Sequence, residues 1–236
     1  MPESGERRPR PRIEELADLI FGLSLSIGSI VLVVNSPTTT SQIGTHIASF
    51  IFTFLILITA WMIYTTDMSV LPVENTAFTF LNIGLLMLVA LVPYLLNTTE
   101  VVNPVLSAAQ ASAIKGFASS LFALDLGGVL MILAAFAHII SVEEKKLVAP
   151  ELASLFRNGR NRMFIIAIVM FASVAPQFWE WTLFGIPLRL YVWYIPLVSY
   201  WVGLVVDPEG RSYTLRDRST IPGGSRRVHM LWEPCQ

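Results

Sequence analysis

Arg12 and Asp18 stand six positions apart where the chain first turns apolar, and Ser26 and Ser29 follow inside the same run. A cation, a carboxylate and hydroxyls that enter a greasy segment together either pair with one another or meet an ion. Charge at that depth marks a functional site or its structural support. Asp125 and Arg189 are the other charges inside apolar stretches. Catalytic patterns are absent from the sequence: no Gly-rich phosphate loop, no histidine pair at zinc spacing, no serine in a nucleophile elbow. No enzymatic activity is expected. His46, His138 and His229 are far apart and read as interfacial or solvated residues, with His138 a candidate for a pH-sensitive contact. The lone cysteine, Cys235, gives neither an intramolecular disulfide nor a thiolate metal cluster.

The elements that must position these groups are set by composition. Of 236 residues, 54% are hydrophobic and 14% charged, too apolar for a soluble domain of this length. Six windows, near 13–34, 43–64, 78–97, 118–141, 162–179 and 183–206, each supply the roughly 20 apolar residues that cross a hydrocarbon core about 30 Å thick. None shows the alternation an outer-membrane barrel requires, so the backbone must be satisfied within helices. The expected fold is all-α, a polytopic membrane protein with six transmembrane helices. Its parts are a basic N-terminus over 1–12, a transmembrane domain over 13–206, and a C-terminal tail over 207–236 whose composition predicts disorder.

Basic residues fix the expected orientation. Arg7, Arg8, Arg10 and Arg12 precede the first window, Lys145, Lys146, Arg157, Arg160 and Arg162 lie between the fourth and fifth, and Arg211 to Arg227 follow the sixth. With six crossings these clusters share one side, which the positive-inside rule makes cytoplasmic, so both termini are expected there. A signal peptide would begin in the same way, but no small-x-small cleavage site follows Val34 and Asp18 interrupts the apolar onset. The stretch 142–161 reads either as a connector or as an amphipathic helix around Leu152, Leu155 and Phe156. Pro93, Pro176, Pro187 and Pro196 break backbone bonding and are expected to kink their helices.

At about 100° per residue, Leu23, Ile27 and Ile30 fall on one line of the first helix, and Gly22, Ser26 and Ser29 on a second line about one residue's rotation away. One stripe is bulky and dry. The other is small and hydroxylated, suited to close helix approach or to offering oxygens toward a narrow passage. Composition alone favours the plainer reading, in which the aliphatic stripe faces lipid or a neighbouring helix.

Arg12 through Leu25 resembles a degenerate form of the R-x-x-x-F-S-D-G-x-x-A-I-x-x-T signature of the transmembrane protein 175 family, lysosomal potassium channels and their prokaryotic relatives. Ser49, Phe50 and Trp61 resemble the family's second span, and Leu81, Asn82, Leu88, Pro93 and Tyr94 its third. Arg12 and Asp18 keep the signature, whereas Leu16, Ala17, Leu19, Gly22 and Ser26 replace its Phe, Ser, Gly, Ala and Thr. Tyr64, Thr65 and Thr66 stand near where the family carries paired histidines. The six-window length is similar to the single-repeat prokaryotic type.

The resemblance implies a potassium-permeable channel of the cell membrane, assembled as a homotetramer around its first helices, with potassium as the permeant ion and no cofactor. It places Leu23 at the constriction, with Ile27 and Ile30 as further apolar rings that gate by dewetting. It makes Ser26 the hydroxyl favouring potassium over sodium, and Arg12, Asp18, Trp61 and Asn82 a signature packing network. The carbonyl filter of other potassium channels is absent from the sequence. Partners are lipid and further copies of the chain, with no nucleic acid. Arg189 is expected to pair with Glu180. Asp125 is a candidate proton or ion relay, which keeps a proton-coupled secondary transporter open as the alternative. Proline-broken helices also occur in such transporters.

Overall fold

The computed structural model describes residues 12–34, 40–70, 76–100, 107–142 and 150–206. The basic N-terminus before Arg12, Lys145, Lys146, the tail 207–236, and the side chain of Arg12 lie outside the described residues. Helices dominate the rest: α1 (Arg12–Val34), α2 (Thr40–Met68), α3 (Thr76–Glu100), α4 (Ala108–Ser141) and α5 (Pro150–Ala172), then short α6 (Gln177–Glu180), strands β1 (Thr182–Leu183) and β2 (Ile186–Pro187), α7 (Leu188–Val192) and α8 (Ile195–Val206). Among the described residues three stretches, Gln42–Met68, Phe78–Thr99 and Ala108–Ser141, are long and apolar enough to cross a membrane. They coincide with the second, third and fourth windows.

The helix ends have local causes. Ser107 caps α4 through a capping box: its Oγ accepts from the Gln110 backbone N–H at 3.3 Å, and the Gln110 side-chain oxygen accepts from the Ser107 N–H at 3.1 Å. α4 therefore starts ten residues before the expected window. Its 34 residues are roughly 51 Å long, well beyond the thickness of a hydrocarbon core. Pro150 occupies the first position of α5, where its missing N–H costs nothing. Of the stretch 142–161, read as connector or amphipathic helix, residues 150–161 are helical and run without a break into the rest of α5.

Two prolines set the next breaks. A proline ring clashes with the carbonyl four residues earlier. Pro176 stands four after Ala172, the last residue of α5, and Pro196 four after Val192, the last residue of α7. The fifth helix thus ends at 172 instead of 179. The window 183–206 is not one helix: it holds the end of a hairpin, α7, and α8, whose 12 residues reach only about 18 Å. Pro93 behaves differently, lying inside a continuous α3.

β1 and β2 pair antiparallel, Thr182 opposite Pro187 and Leu183 opposite Ile186. Phe184 and Gly185 form the two-residue turn with φ of 52° and 77°. Such turns suit Asn-Gly, and a bulky residue in the left-handed region costs on the order of 1–2 kcal/mol.

α4 is the hub, packing on α5, α3 and α2. Adjacent glycines let two neighbours approach: a Cβ on Gly127 would lie 2.7 Å from the Phe171 ring of α5, and one on Gly128 would lie 2.8 Å from Leu88 of α3. Phe122, Leu133 and Phe136 of α4, Leu85 and Val89 of α3, Leu57 of α2 and Met170 of α5 are buried in one core. The chain divides into two compact units, Met1–Leu197 and Val198–Gln236. Of the second, 198–206 are described, where Tyr200 and Trp201 meet edge to face with ring centroids 5.9 Å apart.

Candidate functional site

α1 has two faces. Ala17, Phe21 and Ser24, at helical spacing, are buried against the other helices, with Phe21 stacked on Tyr64 of α2 at 5.8 Å between centroids. Gly28 on the same side meets the Thr53 methyl of α2, which a Cβ would approach to 3.7 Å. The opposite side carries Leu23 (57% exposed), Ile27 (37%) and Ile30 (56%), with Leu16 and Leu19 continuing the stripe toward the N-terminus. Leu23 lies about 200° around the helix from Phe21. Burying Phe21 therefore turns Leu23 outward, away from the other described helices.

The hydroxyls beside this stripe are internally satisfied. Ser26 Oγ donates to the Gly22 carbonyl at 2.9 Å and Ser29 Oγ to the Ser26 carbonyl at 2.7 Å. With its hydrogen held by the helix, the exposed Ser26 oxygen presents acceptor lone pairs. Gly22 is open, with no atom within 4 Å of a notional Cβ.

At the other end of the stripe, Trp61 Nε1 of α2 donates to Asp18 Oδ1 at 2.9 Å. The structure thus brings together two of the four residues singled out as a network. Asn82 is buried in α3, and its Oδ1 has no hydrogen-bond partner among the described residues. Arg12 heads α1, and its side chain lies outside the described residues.

Asp125 sits in the middle of α4, 4% exposed, with neither carboxylate oxygen bonded among the described residues. One turn earlier, Phe122 packs against Trp193 with centroids 4.4 Å apart, and Trp193 Nε1 is likewise buried without an acceptor among the described residues. His138, near the end of α4, accepts through Nδ1 from Arg160 of α5 at 2.9 Å, the proton placement following from the arginine's being a donor only.

Arg189 corrects the expectation of an ion pair with Glu180. Glu180 is exposed, while Arg189 is 1% exposed and its bonds go to neutral groups. Nε donates to the Ser173 carbonyl (2.6 Å), one terminal nitrogen to the carbonyls of Val174 (2.9 Å) and Ala175 (3.1 Å), and the other to Ser119 Oγ (2.8 Å), Ser120 Oγ (2.6 Å) and the Gly116 carbonyl (3.1 Å). The Trp179 ring lies 5.8 Å from the guanidinium carbon. Residues 173–175 follow the last turn of α5, where carbonyls lack helical partners and the helix dipole is negative. A cation is well placed there without a carboxylate. Sequence inspection missed this because the acceptors are backbone groups that no residue type announces.

No family model matches the chain, and no curated protein matches it by sequence. Among solved structures, a homologue of the lysosomal potassium-selective channel TMEM175 from Chamaesiphon minutus superposes with a TM-score of 0.52. The chain shares that fold. Sequence identity is 16%, and the match covers 81% of this chain and 95% of the other. The chain is all-α with membrane-spanning helices, and the likeness extends through most of its length.

Proposed function

We propose that this chain is the subunit of a potassium-permeable channel in the cell membrane, with six crossings, both termini cytoplasmic, and four copies arranged around their α1 helices. The observation that carries the proposal is the fold shared with a potassium-selective channel homologue across nearly the whole of that chain. The face of α1 supports it. Leu23, Ile27 and Ile30 turn away from their own subunit while Ser26 and Gly22 flank them, so copies meeting along this face enclose a narrow apolar passage edged with oxygens. The exposed stripe of α3, with Phe80, Ile83, Met87 and Tyr94, is built of large apolar side chains and suits lipid.

In this reading Leu23 forms the constriction, where an apolar ring a few ångströms across excludes water and sets the barrier, with Ile27 and Ile30 forming further rings. Ser26 offers oxygen to a partly dehydrated ion and favours potassium over sodium. Asp18 is a strut, held by Trp61, that fixes α1 against α2; Arg12 and Asn82 belong to the same support. Purified protein in vesicles under a potassium gradient tests the proposal. A current reversing near the potassium equilibrium potential is expected, and absence of any current overturns it.

The carboxylate of Asp125, without a partner among the described residues, favours a second reading, a proton-coupled transporter in which this group carries the proton. Saturable, proton-linked flux abolished by Asp125→Asn would establish it in place of the channel.

A further inference from the structure

We propose that the Thr182–Pro187 hairpin is a membrane-seating wedge whose tip inserts at the headgroup–acyl boundary of the leaflet beside it. The inference rests on membrane embedding of the chain and is independent of potassium permeation.

The hairpin carries no charge between Glu180 and Arg189. Its side chains are apolar and uncovered: Phe184 is 92% exposed, and Trp181, Leu183 and Ile186 are about half exposed or more. Phe184 moreover holds a left-handed backbone that asparagine or glycine would adopt more easily. The described residues return almost no contact for that strain. A ring kept in an unfavourable conformation and left bare by the described residues points to a partner beyond them.

The hairpin's level identifies lipid as that partner. Three residues before Thr182, Trp179 lies against Gly116 of α4, where a Cβ would be 3.2 Å from the indole nitrogen. Two residues after Pro187, Arg189 bonds to Gly116, Ser119 and Ser120. Both bases of the hairpin are thus pinned at residues 116–120 of α4. The fourth apolar window, 118–141, opens just past Lys115 and is long enough to cross the hydrocarbon with slight tilt, so the sequence sets the membrane boundary of α4 at that same level. Aromatic side chains concentrate at this depth. The hairpin is also rigid, with Leu188 N–H donating to the Trp181 carbonyl at 2.8 Å and Tyr191 Oη to the Leu183 carbonyl at 3.0 Å.

Full-length protein carrying Cys235→Ser and Phe184→Cys, labelled with an environment-sensitive fluorophore, is reconstituted into phosphatidylcholine vesicles. Nitroxide lipids labelled near the headgroup are compared with aqueous iodide as quenchers, and Ala108→Cys serves as the control site. Position 184 is expected to be quenched several-fold more by the nitroxide lipid than by iodide, with the order reversed at position 108. Leu183→Cys gives an independent label at the tip and should repeat the result. Iodide quenching at 183 and 184 equal to that at 108 overturns the proposal. Disulfide cross-linking of Phe184→Cys between copies also overturns it, since the tip would then cover another subunit. Loss of potassium current with lipid quenching intact would sink the channel reading and leave the wedge standing.

Discussion

Arg189→Lys should destabilise the protein far more than a conservative exchange of surface cations. Arginine reaches six acceptors, four carbonyls and two hydroxyls, from a position 1% exposed. Five N–H groups serve these six acceptors and a lysine ammonium has three, so at least two hydrogen bonds are lost even with ideal placement. At a net value of about 1 kcal/mol each the loss is about 2 kcal/mol, and buried carbonyls left bare at the end of α5 add to it. For a chain of this size that corresponds to a fall in unfolding midpoint of roughly 4–8 °C. Thermal unfolding of detergent-solubilised protein, followed by circular dichroism, measures it. Glu180→Gln is the control, expected to shift the midpoint by no more than about 2 °C because Glu180 is exposed. An Arg189→Lys midpoint equal to wild type, or a Glu180→Gln loss as large as that of Arg189→Lys, would refute the neutral carbonyl cradle.

Leu23→Ser should raise single-channel conductance about tenfold, the effect of lowering the barrier by about 1.4 kcal/mol, as read in planar bilayers; unchanged conductance removes Leu23 from the constriction. Trp61→Phe deletes the donor to Asp18 and should cost about 1.5 kcal/mol of stability in a denaturant titration, while leaving the potassium-to-sodium permeability ratio as it was. Gly127→Val forces the Phe171 ring to move and should cost about 1–3 kcal/mol, whereas Gly159→Val, at an open glycine, should cost no more than about 1 kcal/mol.

Much of the helical layout was legible because apolar length is a strong signal. The cores of α2, α3 and α4 follow from it, and the S-x-x-Q box at Ser107 and the spacing of Pro176 and Pro196 locate ends that apolar windows alone misplace. Outward exposure of Leu23 was legible in a weaker sense: periodicity separates the stripe from Gly22 and Ser26, but only the packing of Phe21 and Ser24 says which side is inward. Arg189 was misread because its partners are backbone carbonyls. The hairpin escaped because Phe-Gly lacks the Asn-Gly signal and its strands are two residues long. Asp125 was visible at once, as any lone carboxylate in an apolar run is, and its lack of a partner among the described residues is what packing adds.

Which helix face meets the conduction axis is open to direct measurement. In a Cys235→Ser background, Leu23→Cys and Met87→Cys channels are exposed to silver ion while current is recorded. Permanent block of the Leu23→Cys channel, with Met87→Cys unaffected, is the result predicted by α1 lining the passage. Block through position 87 with position 23 silent would contradict it.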